Sequence, residues 1–146
     1  MTTFKDFALP EALQHKLDAL GFDKPTPVQE RAIPAALENR DILGSAQTGT
    51  GKTAAFSIPL LTKIMNHADV YGIIVTPTRE LALQVDEQIR AFLSAKSKIR
   101  SVVLIGGVSI ERQVQALGKR PKIIVGTPGR IIDHFERKSL DLSGFN

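Results

Sequence analysis

Four short apolar runs, DILGSA (41–46), YGIIVT (71–76), RSVVLI (100–105) and KIIVG (122–126), recur along the chain. Stretches with helical character alternate with them, at about 52–66, 79–96, 109–118 and 129–138. A strand covered on one face alternates apolar with polar residues, whereas one that is apolar throughout is covered on both faces. The pattern therefore predicts an α/β fold, a parallel β-sheet sandwiched by helices. Each run leads into a segment rich in Gly, Pro, Thr or Ser: SAQTGTGKT, TPTRE, GGVS and TPGR. Ligands of open parallel sheets bind beyond the carboxyl ends of the strands. Chain order alone thus assigns the four polar segments to one functional edge.

Two helical segments precede the first run. LPEALQHKLDALG reads as an amphipathic helix opened by Pro10, striped by Leu13, Leu17 and Leu20, and ended by Gly21. VQERAIPAALEN is helical but expected to break or kink near Pro34. Between them GFDKPTPVQ (21–29) is a rigid turn, because Pro25 and Pro27 each fix φ. The prolines do not explain the glutamine that closes it.

At 146 residues the chain is the size of one domain, with a composition ordinary for a soluble protein: 42% hydrophobic and 23% charged. The absence of Cys excludes disulfides and thiolate metal sites. No apolar run reaches membrane-span length and the N-terminus has no signal-peptide core, so the cytoplasm is the default compartment. The net charge is +4, with small basic clusters at Lys96/Lys98/Arg100, Lys119/Arg120/Lys122 and Arg137/Lys138. Solvated surface and nucleic-acid binding both fit that charge. His15, His67 and His134 share no metal-ligand spacing and read as structural or surface residues.

AQTGTGKT (46–53) carries the most specific chemistry. It fits the phosphate-binding loop pattern, with Ala46 where the first glycine usually stands. Gly49 and Gly51 let backbone N–H groups fold inward around anionic oxygens, and Gln47, Thr48 and Thr50 fill out the cradle. The helix start beyond it adds unpaired donors and partial positive charge. Lys52 is placed to reach the β- and γ-phosphates, and the Thr53 hydroxyl to ligate Mg²⁺. The loop specifies a nucleotide and is silent about the base.

The ordered set GFDKPTPVQ, AQTGTGKT, PTRELA (77–82), Gly106-Gly107 and TPGR (127–130) closely resembles the N-terminal core of DEAD-box RNA helicases. In that family these are the Q motif and motifs I, Ia, GG and Ib, and motif I begins with alanine, as Ala46 does here. Phe4, 17 residues before Gly21, matches the family's isolated upstream aromatic. The resemblance covers essentially the whole chain. It implies a RecA-like fold, ATP-dependent RNA remodelling, and a second RecA-like domain that closes over the first. It also implies adenine recognition by Gln29, with Phe4 or Phe22 near the base. An amide offers a donor and an acceptor side by side, matching adenine N6–H₂ and N7, whereas guanine presents two acceptors.

The resemblance further assigns Thr78, Arg79, Gly107, Thr127, Gly129 and Arg130 to segments that hold the RNA backbone. Such contacts position RNA without reading its sequence. The same residues also fit turn chemistry, in which Pro77 and Pro128 start helices and Thr76 or Thr127 caps them.

In the family, the Asp-Glu-Ala-Asp strand, the Ser-Ala-Thr motif and the second domain lie beyond the point reached at Asn146. Residues 1–146 are thus expected to be the first part of RecA-like domain 1. The chain is expected to bind ATP, ADP or AMP, to bind RNA weakly, and to hydrolyse no ATP at a helicase-like rate. A piece of a longer helicase and a stand-alone nucleotide- or RNA-binding module both fit. An uncovered sheet edge further predicts self-association.

Overall fold

The computed structural model of the chain describes residues 2–143 and Phe145. It divides into two compact units, residues 1–68 with 91–94, and residues 69–90 with 95–146.

The first unit is helical: a 3₁₀ turn (Phe4–Asp6), α1 (Glu11–Ala19), α2 (Pro27–Leu37) and α3 (Lys52–Asn66). Pro10 is the N-cap of α1. Gly21 ends the helix by taking φ 77°, with Gly21 N–H donating to Asp18 O (3.1 Å) and Phe22 N–H to Leu17 O (2.9 Å). That pair of bonds satisfies carbonyls the helix would leave open, and glycine takes the left-handed conformation without a Cβ penalty. Leu13 and Leu17 are buried as the stripe predicts, but Leu20 is 44% exposed.

The expected break at Pro34 does not occur: α2 runs on to Leu37, and Glu38 N–H donates to Pro34 O (3.1 Å). Proline in the last turn removes one hydrogen bond, leaving the carbonyl of the exposed Glu30 to water, and that loss is small enough for the helix to continue. Phe4, Phe7, Phe22 and Phe92 form an aromatic cluster, with edge-to-face ring separations of 5.4–5.8 Å. Such pairs contribute roughly 0.5–1.5 kcal/mol each beyond area burial.

The second unit holds the sheet. β1 (Gly72–Val75), β2 (Ser101–Leu104) and β3 (Ile123–Gly126) run parallel in the order β1-β3-β2. α4 (Arg79–Phe92), whose last residues belong to the first unit, α5 (Ile110–Gly118) and α6 (Pro128–Glu136) alternate with the strands. Central β3 is buried at every position, and Val102, Leu104, Leu117, Ile124, Ile131 and Leu140 form one core cluster. The α/β parallel architecture read from the apolar runs is therefore present.

One of the four expected strands is not. Residues 41–46 form no strand; Asp41 to Ser45 are exposed, and Leu43 is fully so. The local pattern was right for a strand, but a strand exists only by pairing, and no described residue pairs with this segment.

Candidate functional site

The segment 46–53 forms an open loop leading into α3. Gly49 and Gly51 adopt φ 80° and 84°, the left-handed conformation that the sequence reserved for them. Gly51 is the N-cap of α3 and receives no side-chain cap. Among the described residues no carbonyl or side chain accepts from the backbone N–H groups of Gly49, Gly51, Lys52 or Thr53, whereas residues 47–50 form a turn that engages the Thr50 N–H. Four donors, two of them on left-handed glycines and two at a helix start, form a nest suited to anionic oxygen. The donor set therefore fits a phosphate chain.

The loop's own side chains are turned inward. Lys52 Nζ donates to Ala46 O, and Thr50 Oγ1 donates to Gln47 O (2.7 Å). Lys52 is exposed, so its ammonium has only that carbonyl to leave when a stronger anion arrives. Gln47, Thr48 and Gly49 are exposed, and Ala46 and Thr53 are half-buried. Thr53 offers one oxygen to a cation, and the described residues contain no cluster of three or more His, Cys, Asp or Glu.

Gln29 is 3% exposed and bonded on both sides of its amide. Its Oε1 accepts from Thr26 N–H (3.0 Å), and its Nε2 donates to Gly51 O (3.1 Å). Thr26 Oγ1 donates to Thr50 O (2.8 Å). The turn that carries the glutamine is thus tied to the phosphate loop by two hydrogen bonds. Thr26 and Gln29 also form a capping box at the start of α2, with Pro27 as the first helical residue. The sequence holds the signal for this, a threonine followed three residues later by a glutamine, which the two prolines by themselves do not convey. Phe4 is 1% exposed within the aromatic cluster and has no free ring face, whereas Phe22 is only half-buried.

In the second unit, the carboxyl ends of all three strands open into one groove of about 610 Å³, lined by Pro77, Thr78, Arg79, Glu80, Gly106, Thr127, Gly129 and Arg130. The resemblance assigns Thr78, Arg79, Thr127, Gly129 and Arg130 to RNA-holding segments, and the fold brings these five residues together in one groove. Gly107 belongs with them: the Arg79 guanidinium lies along Gly106 and Gly107, with Nη1 2.7 Å from where a Cβ at Gly107 would stand.

The turn chemistry is real as well, but its members differ from those expected. Thr78, not Thr76, caps α4, its hydroxyl accepting from Leu81 N–H (3.2 Å), while the Thr76 hydroxyl donates to Thr78 O (3.1 Å). Pro128 does start α6, Thr127 provides no side-chain cap, and Pro77 stands two residues before α4.

Beneath the groove lies a buried polar network. His134 is fully buried, with Nε2 2.7 Å from Gln113 Oε1 and Nδ1 2.8 Å from Ser139 Oγ. Gln113 Nε2 donates to Ile105 O (2.9 Å). Arg130 Nη1 donates to Val108 O (2.9 Å) and to Gln113 Oε1 (3.1 Å). Sequence reading gave Gln113 no role, because nothing local distinguishes a network glutamine from a surface one.

Burial, reinforced by the Arg130 charge, holds the His134 imidazole below its usual 6.5. Between that lowered value and 6.5 the unfolded chain binds a proton that the folded chain refuses, so stability rises with pH. The contribution is complete above 6.5 and is lost as pH falls toward the folded value. Asp133, held low by its hydrogen bond from Arg137, pushes in the same direction at more acidic pH. The urea midpoint is expected to fall as pH drops from 7 toward 5, and the slope to flatten in His134→Gln. An unchanged midpoint over that range would contradict the burial of a neutral imidazole.

The sequence model of the DEAD/DEAH box helicase family matches residues 26–145. The DEAD-box ATP-dependent RNA helicase CshA of Bacillus cereus is 50% identical over 143 residues, which is 97% of this chain and 27% of that protein. The same helicase from Bacillus anthracis is equally similar over the same share. The chain therefore spans little more than a quarter of the curated relatives it matches.

Among solved structures, a DEAD box protein from Methanococcus jannaschii superposes with a TM-score of 0.92 at 38% identity, covering 100% of this chain and 40% of that one. A hypothetical ATP-dependent RNA helicase from Sulfolobus tokodaii gives 0.84 at 33% identity, covering 94% and 39%. Sequence and fold agree over nearly the whole length, and the chain belongs to the DEAD/DEAH box helicase family.

Proposed function

We propose that this chain is the adenine-nucleotide-binding front part of the first RecA-like domain of a cytoplasmic ATP-dependent RNA helicase, whose second RecA-like domain closes over it. The observation that carries the reading is the nest of four unpartnered N–H groups at Gly49, Gly51, Lys52 and Thr53, with the Lys52 and Thr53 side chains at the start of α3. Ala46 to Gly51 wrap the phosphates of ATP, ADP or AMP, Lys52 releases Ala46 O to reach the β- and γ-oxygens, and Thr53 supplies one ligand to Mg²⁺. ATP with Mg²⁺ supplies the driving reaction when bound.

Gln29 reads the adenine edge, and for this its amide leaves Thr26 N–H or Gly51 O. The base therefore competes with the capping box, and occupancy of the site is coupled to the position of the phosphate loop. Phe22 is the ring better placed to cover the base, and Phe4 supports it through their 5.6 Å edge contact. The family's Asp-Glu-Ala-Asp sequence is not among these 146 residues. Phosphoryl transfer rests on positioned charge, so the chain alone binds ATP without turning it over at a helicase-like rate. RNA-stimulated multiple-turnover hydrolysis by the purified chain would contradict this.

The groove beyond the three strands holds RNA through its phosphates, weakly in this chain, with Thr78, Arg79, Gly107, Thr127, Gly129 and Arg130 as its wall. Gly129 separates this role from folding. A Cβ at Gly129 meets nothing within 4 Å, so Gly129→Ala is expected to leave the urea midpoint unchanged or slightly raised. It is expected to weaken binding of a single-stranded oligonucleotide by crowding the backbone that approaches there. Unchanged RNA affinity would remove Gly129 from the interface.

Among the described residues no strand pairs with the outer edge of β1, whose alternate residues bond inward: Gly72 N–H donates to Lys122 O and Thr76 N–H to Gly126 O, both at 2.8 Å. The amides of Ile73 and Val75 point the other way, and both side chains are exposed. An apolar edge without charge or proline favours strand pairing, and the chain self-associates there. A monomer in sedimentation at high concentration would exclude it.

A further inference from the structure

The network of Gln113, His134 and Arg130 has a proton order that its geometry dictates. Gln113 Nε2 faces the Ile105 carbonyl at 2.9 Å, and its Oε1 faces Arg130 Nη1 at 3.1 Å. The reverse amide orientation would set oxygen against oxygen and donor against donor, so the orientation is fixed. Oε1 then has only lone pairs to offer His134 Nε2 at 2.7 Å, and that nitrogen must carry a proton. In the neutral ring Nδ1 is therefore the acceptor, and the single Ser139 hydroxyl proton turns to it at 2.8 Å in preference to the His134 carbonyl oxygen, the other acceptor within its reach at 3.0 Å. The alternative neutral tautomer would press two lone pairs together in a fully buried site.

Both protons of Arg130 Nη1 are committed by the same arrangement, one to Val108 O and one to Gln113 Oε1. Its Nε lies 3.8 Å from Asp133 Oδ2, and the side chain is 16% exposed. Arg79, by contrast, is exposed and lies along Gly106 and Gly107.

We propose that Arg130 is a brace rather than a phosphate ligand, and that Gln113 and His134 are positioning residues that aim it. The chain of bonds from Ser139 through His134 and Gln113 to Arg130 ties the 106–109 loop, through Val108 O, to the start of α6. It holds Gly107 and Gly129 on two walls of one groove. This inference rests on the RNA-groove reading for its use, but the brace itself is a property of the unliganded chain.

The first test is the long-range ¹H–¹⁵N imidazole spectrum of the 146-residue chain at pH 7.5. His134 is expected to show Nε2–H with Nδ1 as acceptor, and an Nδ1–H tautomer would overturn the proposal. The second test removes one end of the network. Arg130→Gln is expected to raise the His134 pKa, because it withdraws a neighbouring cation. His134→Gln, which keeps a donor for Gln113 Oε1, is expected to retain slowly exchanging Arg130 guanidinium protons, and His134→Phe to lose them. No change at either residue when the other is replaced would overturn the coupling.

The third test separates brace from ligand through the salt dependence of oligo(U) binding. Losing one phosphate contact lowers the log–log slope by about 0.7 for a single strand. Arg130→Gln is expected to weaken binding with an unchanged slope, whereas Arg79→Gln lowers it. A lowered slope in Arg130→Gln would make it a ligand. If the chain binds no oligo(U), the RNA reading fails, while the tautomer and exchange measurements still decide the brace.

Discussion

Gly126→Ala is expected to cost the chain about 3 kcal/mol or more of stability. Gly126 ends the central strand β3, and a Cβ there would stand 2.4 Å from the Leu104 carbonyl oxygen and 3.1 Å from side-chain carbons of Leu104 and Ile131. The nearest obstacle is backbone held in the sheet register, where Leu104 pairs with Gly126, so it cannot swing aside as the end of a flexible side chain would. The strand must shift, and the Thr127 N–H bond to Leu104 O (3.1 Å) shifts with it. A domain of this size has only about 5–15 kcal/mol to lose. Urea denaturation followed by circular dichroism checks this. A midpoint within error of the unsubstituted chain would mean that the strands are not packed as closely as described.

The second large effect is on binding. Lys52→Ala is expected to weaken ATP and ADP by roughly 10- to 100-fold, the range for losing one hydrogen bond to a charged group. It is expected to leave the urea midpoint nearly unchanged, because Lys52 is exposed and its one carbonyl partner, Ala46 O, lies in an open loop. AMP, which has no β- or γ-phosphate, should be affected much less. Calorimetric titration of the three nucleotides into both chains gives the comparison. Equal losses for AMP and ATP would show that Lys52 acts on something other than the phosphate chain.

Much of this was legible in the residues, for reasons that differ by element. The strands β1, β2 and β3 were readable because each is a short apolar run set between helices whose periodicity is also visible, although Ile73 and Val75 of β1 stand exposed. Their ends were one residue too generous on most sides, since pairing rather than composition fixes where a strand stops. The run at 41–46 carried the same local signal as the others and forms no strand, because pairing is a property of two segments and the sequence of one cannot report it. Pro34 misled in the opposite direction. The rule that proline breaks helices applies most strongly to interiors, and here it stands in a last turn beside solvent.

Among the site residues, Gly49 and Gly51 were read as the positions that let the backbone fold inward, and the φ near 80° found at both is almost exclusively available to glycine. The groove residues were assembled correctly by chain order along a parallel sheet. Gln29 was read for what it could offer a base, while the bonds it already makes to Thr26 and Gly51 went unseen, although the capping-box spacing was there to be read. His134 and Gln113 were beyond reach. They lie 21 positions apart, and their bond at 2.7 Å is made by the packing of α5 and α6 rather than by any motif.

A phosphate nest and an adenine-reading glutamine are proposed to share one site in this chain. The most direct test of that sharing is a calorimetric comparison of ATP with GTP, each titrated into the unsubstituted chain and into Gln29→Ala. ATP is expected to bind more tightly than GTP by roughly 10-fold or more, the value of one bidentate base contact, and Gln29→Ala is expected to erase most of that difference. Equal affinity for the two nucleotides, or a preference that survives Gln29→Ala, would contradict it.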